Sequence, residues 1–204
     1  MNVSVCVATR GDVDMEPVLE SFPDDWETVV WDNGREVCEI DGSVSVPVRD
    51  KGPHARFAAI KYASHDLIFV QDDDVIVSDP GLIVREWLDI LEGYDRDDVV
   101  VCNMPPEFRQ HYPDSSMVGF GACFHRDAPE LAFRRWDEFG FARDDLFLRE
   151  SCRIFTVLTP QYLVDILKTD MPYASAPNRL WKQPGHIKSR DKALGMARQV
   201  RDAH

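Results

Sequence analysis

The sequence predicts an α/β protein, a single domain in which a mostly parallel sheet is flanked by helices on both faces. Three observations lead there. Apolar runs of strand length alternate with amphipathic segments from residue 3 to residue 103. Turn or acidic residues follow the apolar runs, as in Asp32-Asn33-Gly34 and Gln71-Asp72-Asp73-Asp74. At 204 residues, with 44% hydrophobic and 29% charged side chains, the chain has the size and composition of one ordinary globular domain.

The elements follow in order. Val3 to Ala8 is an apolar strand, and the next segment reads as a loop leading into a short helix from Met15 to Ser21. "ETVVWD" is a second strand, and "VSVPV" is a third whose Pro47 pushes it towards a sheet edge. Pro53 suits the first turn of a helix reaching Ser64, because its missing N–H has no intrahelical partner there. Asp66 to Gln71 is a strand. Leu82, Ile83, Trp87, Ile90 and Leu91 form the apolar stripe of a helix, and "DVVVCN" is another strand.

Beyond it, "SSMVGFGACFHR" reads as a strand, "DAPELAFRRW" as a helix and "RDDLFLRES" as the start of another. "RIFTVLT" then reads as a strand and "PQYLVDILKT" as a helix. A Pro-rich loop precedes a closing helix with Ser189 as its N-cap. The regular alternation ends near residue 103, and residues 104–204 form a less regular half with a basic C-terminal segment.

Charge and cysteine content narrow the function. A net charge of −13 disfavours a general grip on nucleic-acid backbone, which comes from clustered Lys and Arg. The charge is segregated, however: from Tyr173 onward Arg179, Lys182, Lys188, Arg190, Lys192, Arg198 and Arg201 outnumber Asp191 and Asp202. The five cysteines form no CxxC pair, which argues against a zinc site or a disulfide framework. No segment approaches the ~20 apolar residues of a membrane span, and the N-terminus lacks the marks of a secretory signal, so a cytoplasmic location is expected.

The triplet Asp72-Asp73-Asp74 raises the central question. A solvated turn would tolerate three adjacent carboxylates, but this one ends the run "DLIFV" and precedes "VIV". Carboxylates held at a buried strand end need a cation nearby or must take up protons. Hard divalent cations take oxygen ligands, and Mg²⁺ is usually held by one or two carboxylates with substrate phosphates, so a nucleoside diphosphate with its metal fits such a place.

The ordered set of motifs resembles the GT-A glycosyltransferases, in particular the family-two and exostosin-like types. It consists of Ala8-Thr9-Arg10 after the first strand, "WDNG" after the second, Gly52 with Ala55-Arg56, the acidic triplet as a DxD, "GFGACFHR", and "RDDLFLRE". Two features depart from the family pattern: "VATR" stands for the commoner Pro-Thr, and Asp144 stands for the usual Glu. The resemblance implies a nucleotide-sugar donor, a UDP-sugar in the first instance, and Mn²⁺ or Mg²⁺ as cofactor. The acceptor is open between a glycan, a protein, a lipid carrier and a modified nucleic-acid base.

On that resemblance Asp32 accepts from the base N–H, and Ala8, Thr9, Arg10 and Asn33 line the nucleotide pocket. Arg56 contacts the nucleotide or makes a surface ion pair. Asp74 takes the metal, Asp72 the ribose or sugar, and Asp73 shares either role. Asp145 is the candidate base for an inverting transfer, with Asp144 as neighbour or alternative; both acids equally suit a helix N-terminus, and Arg149 one turn on could hold Asp145. His186 is a candidate metal ligand or a structural histidine, and Lys188 and Arg190 are candidates to stabilise the departing diphosphate. Two other readings remain, a nucleotidyltransferase of related sheet architecture and a catalytically silent module that binds a cation or nucleotide.

Overall fold

The computed structural model of the chain describes residues 2–33, 44–47, 51–93, 98–112, 114–175, 179 and 182–204, leaving aside the side chains of 44–47, 173 and 175. Gly34, Cys38 and Trp181 lie outside the described residues. The strands are β1 (Val3–Thr9), β2 (Glu27–Asp32), β3 (Val44–Pro47), β4 (Leu67–Asp72), β5 (Val75–Val77), β6 (Val100–Asn103), β7 (Ala122–His125), β8 (Gln161–Val164) and β9 (Lys168–Asp170). The helices are α1 (Glu16–Leu19), α2 (Ala55–Ala59), α3 (Pro80–Gly93), α4 (Pro106–Arg109), α5 (Ala128–Glu138), α6 (Asp145–Leu158) and α7 (His186–Asp202).

Seven strands form the main sheet in the order β3-β2-β1-β4-β7-β6-β8. Six run the same way; β7 alone is reversed, antiparallel to both β4 and β6. β3 lies at an edge, the position where a proline such as Pro47 is tolerated in a sheet. Alternation along each strand sends side chains to two cores. Cys6, Val29, Trp31, Ile68, Val70 and Phe124 face α2, α5, α6 and α7, whereas Val5, Val7, Val30 and Phe69 face α1 and α3. Helices therefore cover both faces, as the alternating pattern requires.

The structure corrects several local readings. "RIFTVLT" is helical, not a strand, because α6 runs unbroken from Asp145 to Leu158. Phe147, Ser151, Ile154, Phe155 and Leu158 recur at three- and four-residue spacing and are all buried, and that packing outweighs the small helix penalty of β-branched residues. "PQYLVDILKT" is not a helix: Gln161–Val164 pairs in parallel with β6, and Lys168–Asp170 pairs antiparallel with β5. Ser189 does not cap α7. The helix starts at His186 after Gly185, whose φ of 79° suits a residue without Cβ, and the Ser189 N–H already donates to the Gly185 carbonyl. The expected helix from Pro53 to Ser64 is three pieces, a 3₁₀ turn Gly52–His54, α2, and a 3₁₀ turn Ile60–Tyr62.

The face under α5 and α6 holds an aromatic cluster of Phe57, Phe124, Phe133, Phe147 and Phe155 with ring centroids as close as 4.9 Å. His54 packs into it, 5.4 Å from Phe147 and 5.6 Å from Phe133. Burial, then the charges of Lys51 and Arg143, lower its pKa to about 4 against the opposing pull of Glu130. The folded state thus binds this proton less readily than the unfolded chain. The stability present above pH ~6.5 is lost as pH falls towards about 4. Urea unfolding at pH 7 and pH 4.5 should show this loss, on the order of 2–3 kcal/mol. A His54→Leu variant should lose correspondingly less over the same interval.

Candidate functional site

The carboxyl ends of the central parallel strands converge because of their register. Thr9 pairs with Asp32 across β1 and β2, and Ala8 pairs with Asp72 across β1 and β4. The three strand ends therefore lie side by side, with the acidic triplet as the turn between β4 and β5. Buried Gln71 donates through Nε2 to the Val75 carbonyl across that turn. β5 is pinned by β9, and the Met171 N–H donates to the Asp74 carbonyl at 2.8 Å. Asn103, also buried, donates to the Phe120 and Ile166 carbonyls at 3.0 and 3.1 Å, which fixes the 3₁₀ turn Val118–Phe120 beside the triplet.

The cation that the triplet demands is supplied by two arginines. Arg56 Nη2 lies 2.5 Å from Asp72 Oδ1. Arg179 reaches both neighbours, with Nη1 at 3.3 Å from Asp73 Oδ1 and Nε at 3.5 Å from Asp74 Oδ2. Burial is the largest influence on Arg56 and acts to lower its pKa, but the charges of Asp72, Cys152 and Asp73 together with the hydrogen bond to Asp72 hold the guanidinium above its ordinary range. Asp73 is raised by burial and by Asp72, against Arg179 and a hydrogen bond from Thr9. Burial, and then repulsion from Asp72 and Asp73, push Asp74 up to about 7. Among the described residues two guanidiniums face these three carboxylates, and Asp74 stays harder to ionise than an ordinary carboxyl.

Around the triplet the predicted nucleotide pocket divides. Thr9 and Asp32 are buried at the strand ends, and Gly11 turns beneath Asp32 with a φ of 71°. The Gly11 N–H donates to Thr9 Oγ1 at 3.1 Å. Asn33 acts as a strut: its Nδ2 donates to the Gly52 carbonyl at 3.1 Å, and its Oδ1 accepts from the Lys51 N–H at 2.9 Å. It ties the end of β2 to the segment that carries Arg56. Ala8 is half-buried and Arg10 is exposed on the rim.

The second acidic constellation sits at the start of α6. Asp144 is the N-cap, its Oδ1 accepting from the Phe147 N–H at 3.1 Å, and Asp145 is the first helical residue, exposed. Arg149 makes no ion pair with Asp145 among the described residues; its Nε faces Glu150 Oε1 at 4.0 Å. Further along α6, Cys152 Sγ lies 3.8 Å from the Pro53 carbonyl, one turn before Arg56. Burial raises the Cys152 thiol, which senses Arg56 and Asp72 from the triplet and Arg153 and Glu150 from its own helix. α6 thus runs from the acid pair to the edge of the triplet.

His186, Lys188 and Arg190 occupy the first turns of α7, and His186 and Lys188 line a surface pocket with Gln183, Gly185, Ile187 and Asp191. Burial lowers the His186 pKa, followed by the charges of Arg153, Arg149 and Arg190. Arg190 pairs with Asp191 at 3.0 Å. Among the described residues, no group of three or more His, Cys, Asp or Glu side chains is placed to hold a metal ion. Two residues of the site carried little sequence signal. Arg179 lay within the basic tail, 106 residues from Asp73, and only the need for a countercharge pointed to it. Gly119 was marked only by the doubled glycine of "GFG" within an apolar run.

No protein-family model matches the sequence, and no curated protein matches it. Solved structures do. Residues 1–349 of TarS from S. aureus in complex with UDP superpose with a TM-score of 0.51 at 12% identity, over 98% of this chain and 70% of that one. Glucosyl-3-phosphoglycerate synthase from Mycobacterium tuberculosis in complex with Mg²⁺ and UDP gives 0.52 at 16% identity, over 95% and 79%. The chain therefore has the GT-A fold.

A Cβ added at Gly119 would collide with the Asp72 carboxylate. Gly119→Ala should therefore push Asp72 away from Arg56 and destabilise the protein by about 1–3 kcal/mol in urea unfolding. In an Asp72→Ala background the same substitution should cost measurably less, because the colliding group is gone.

Proposed function

We propose that the protein is a glycosyltransferase that moves a sugar from a nucleoside-diphosphate sugar, a UDP-sugar in the first instance, to an acceptor hydroxyl. The observation that carries this reading is the largely buried turn of three adjacent carboxylates at the end of β4, in a GT-A fold, held by Arg56 and Arg179. In this reading residues 1–103 hold the donor and 104–204 the acceptor.

The donor set suits a hard divalent cation, since it offers oxygen ligands and negative charge in excess of its guanidiniums. Asp74 would hold Mg²⁺ or Mn²⁺ together with the donor's phosphates, with His186 as a further candidate ligand. Arg179 would have to release Asp73 and Asp74 first, which places it where it can turn to an incoming phosphate. When bound, the ion supplies charge that stabilises the departing diphosphate.

The chain's own groups carry the rest. Asp32 accepts from the base N–H; Thr9, Ala8 and Arg10 border the nucleoside; Asn33 holds the wall of that pocket in place. Asp72 and Asp73 are available to the ribose or the sugar. Asp145 is exposed and outside the capping interaction that engages Asp144, so it is the better placed of the two to take the acceptor's proton. As that proton moves to the Asp145 carboxylate, the acceptor oxygen bonds to the anomeric carbon from the face opposite the leaving group. The bond from that carbon to the phosphate oxygen breaks, and its electron pair leaves with the nucleoside diphosphate. Lys188 and Arg190 are the candidates to offset the charge that develops there.

One observation favours a second reading. The triplet already finds partial countercharge in Arg56 and Arg179, as it would in a module that binds nucleotide without turning it over. Incubation with a panel of nucleotide sugars, acceptors and Mn²⁺ separates the two: release of nucleoside diphosphate supports transfer, and tight nucleotide binding without release supports the silent module. Under the transfer reading Asp145→Asn should lower kcat at least ~100-fold with little change in donor binding, as expected for loss of a general base. Arg179→Ala should tighten Mn²⁺ binding measured by calorimetry without nucleotide, because the competing cation has been removed.

A further inference from the structure

α6 carries Asp145, Arg149 and Arg153 at successive turns of one side of the helix, so a basic stripe continues from the candidate base. Opposite it stand His186 and Arg190 of α7. Between them Glu150 is 2% exposed, with Arg153 Nε at 3.3 Å from its Oε2. The Arg153 guanidinium also stacks on Tyr112, 4.8 Å above the ring, which holds its plane in place.

Several polar atoms in this cluster make no hydrogen bond among the described residues: the donors Arg149 Nε and Nη2 and Arg153 Nη1, and one acceptor, Glu150 Oε1, are buried without one. Nε and Nη2 form the side edge of the guanidinium, whose two parallel N–H bonds match two oxygens of a phosphate or carboxylate. The nearest carboxylate oxygen, Glu150 Oε1, is 4.0 Å from Arg149 Nε, beyond hydrogen-bond reach. Buried guanidinium donors without acceptors are costly, and a place that leaves several together calls for an anion. Among the described residues the acids paired with these arginines are Glu150 and, beside Arg190, Asp191.

We propose that Arg149 and Arg153, with Arg190 at the rim, form an oxyanion site for a phosphate group carried by the acceptor. The proposal rests on the transferase reading for the word acceptor, though the anion site itself does not. Its position decides between donor and acceptor. Arg149 is one helical turn from Asp145, roughly 6 Å of rise, so a phosphate on Arg149 sets a nearby hydroxyl of the same molecule at the candidate base. The donor's phosphates belong instead at the carboxylate turn. In a chain of net charge −13, such a local basic site is also what lets an anionic acceptor approach.

The test is calorimetric titration of the full-length protein with inorganic phosphate at low ionic strength, alone and with saturating UDP and Mg²⁺. The expected result is phosphate binding that persists with UDP present and weakens at least tenfold in Arg149→Gln. Arg149→Lys, which keeps the charge and loses the paired edge, should fall between. Circular dichroism checks that each variant is folded, and Arg153→Gln replaces any variant that is not. Absence of binding, binding that UDP displaces, or binding unchanged in every folded variant overturns the proposal; displacement by UDP would assign the arginines to the donor. Failure of the transferase reading is visible separately, as phosphate binding at these arginines without turnover of any donor. If turnover proceeds with the same KM for phosphorylated acceptors in wild type and Arg149→Gln, the acceptor assignment fails while the transferase stands.

Discussion

The ion pairs that join Asp72, Asp73 and Asp74 to Arg56 and Arg179 are the constraint around which the rest of the site is arranged. Three adjacent carboxylates repel one another, and burial makes Asp73 and Asp74 more costly to ionise. Arg56 comes from the helix before β4, and Arg179 from a segment far along the chain. The countercharge therefore closes a long loop of sequence onto a single turn. Removing either partner would strand buried charge, so the turn, the 3₁₀ segment at Gly119 and the β5–β9 ribbon hold together as one unit.

The same pairing gives the site its chemical potential. A guanidinium held at 3.3 and 3.5 Å from two carboxylates is a replaceable cation, with longer contacts than the 2.5 Å bond between Arg56 and Asp72. The sheet register brings Thr9 and Asp32 to the same level as Asp72, and the reversal of β7 occurs on the far side of β4 from them. The parallel strand ends thus face one region. α6 reaches that region through Cys152 and extends away to the acid pair, so one helix connects the two clusters of charge. Among the described residues no helix is long and apolar enough to cross a membrane.

Much of this was legible in the residues. The strands β1, β2, β4 and β6 are short, apolar and followed by turn chemistry; the acidic triplet falls, largely buried, at the end of β4, and the acid pair falls, exposed, at the start of α6. The misreadings have a common cause. "RIFTVLT" is rich in β-branched and aromatic residues, but its neighbours Phe147 and Ser151 supply the rest of a helical stripe that a short window does not capture. "PQYLVDILKT" has apolar residues at helical spacing, yet the open side of β6 needed a strand, and pairing at a sheet edge overrode local preference. Ser189 had the chemistry of a cap, but the left-handed Gly185 started the helix a turn earlier.

By itself, the sequence determined the fold class, the ends of the central strands, and the demand for positive charge at the β4 turn. These follow from periodicity and from the cost of placing like charges next to one another, both of which are local. Only the tertiary structure decided which cations answer that demand, that Gly119 must lack a side chain, and that Arg149 meets Glu150 and, among the described residues, makes no ion pair with Asp145. Those outcomes depend on distances between segments remote along the chain, and spacing in sequence places no limit on which remote side chains a folded sheet brings into contact.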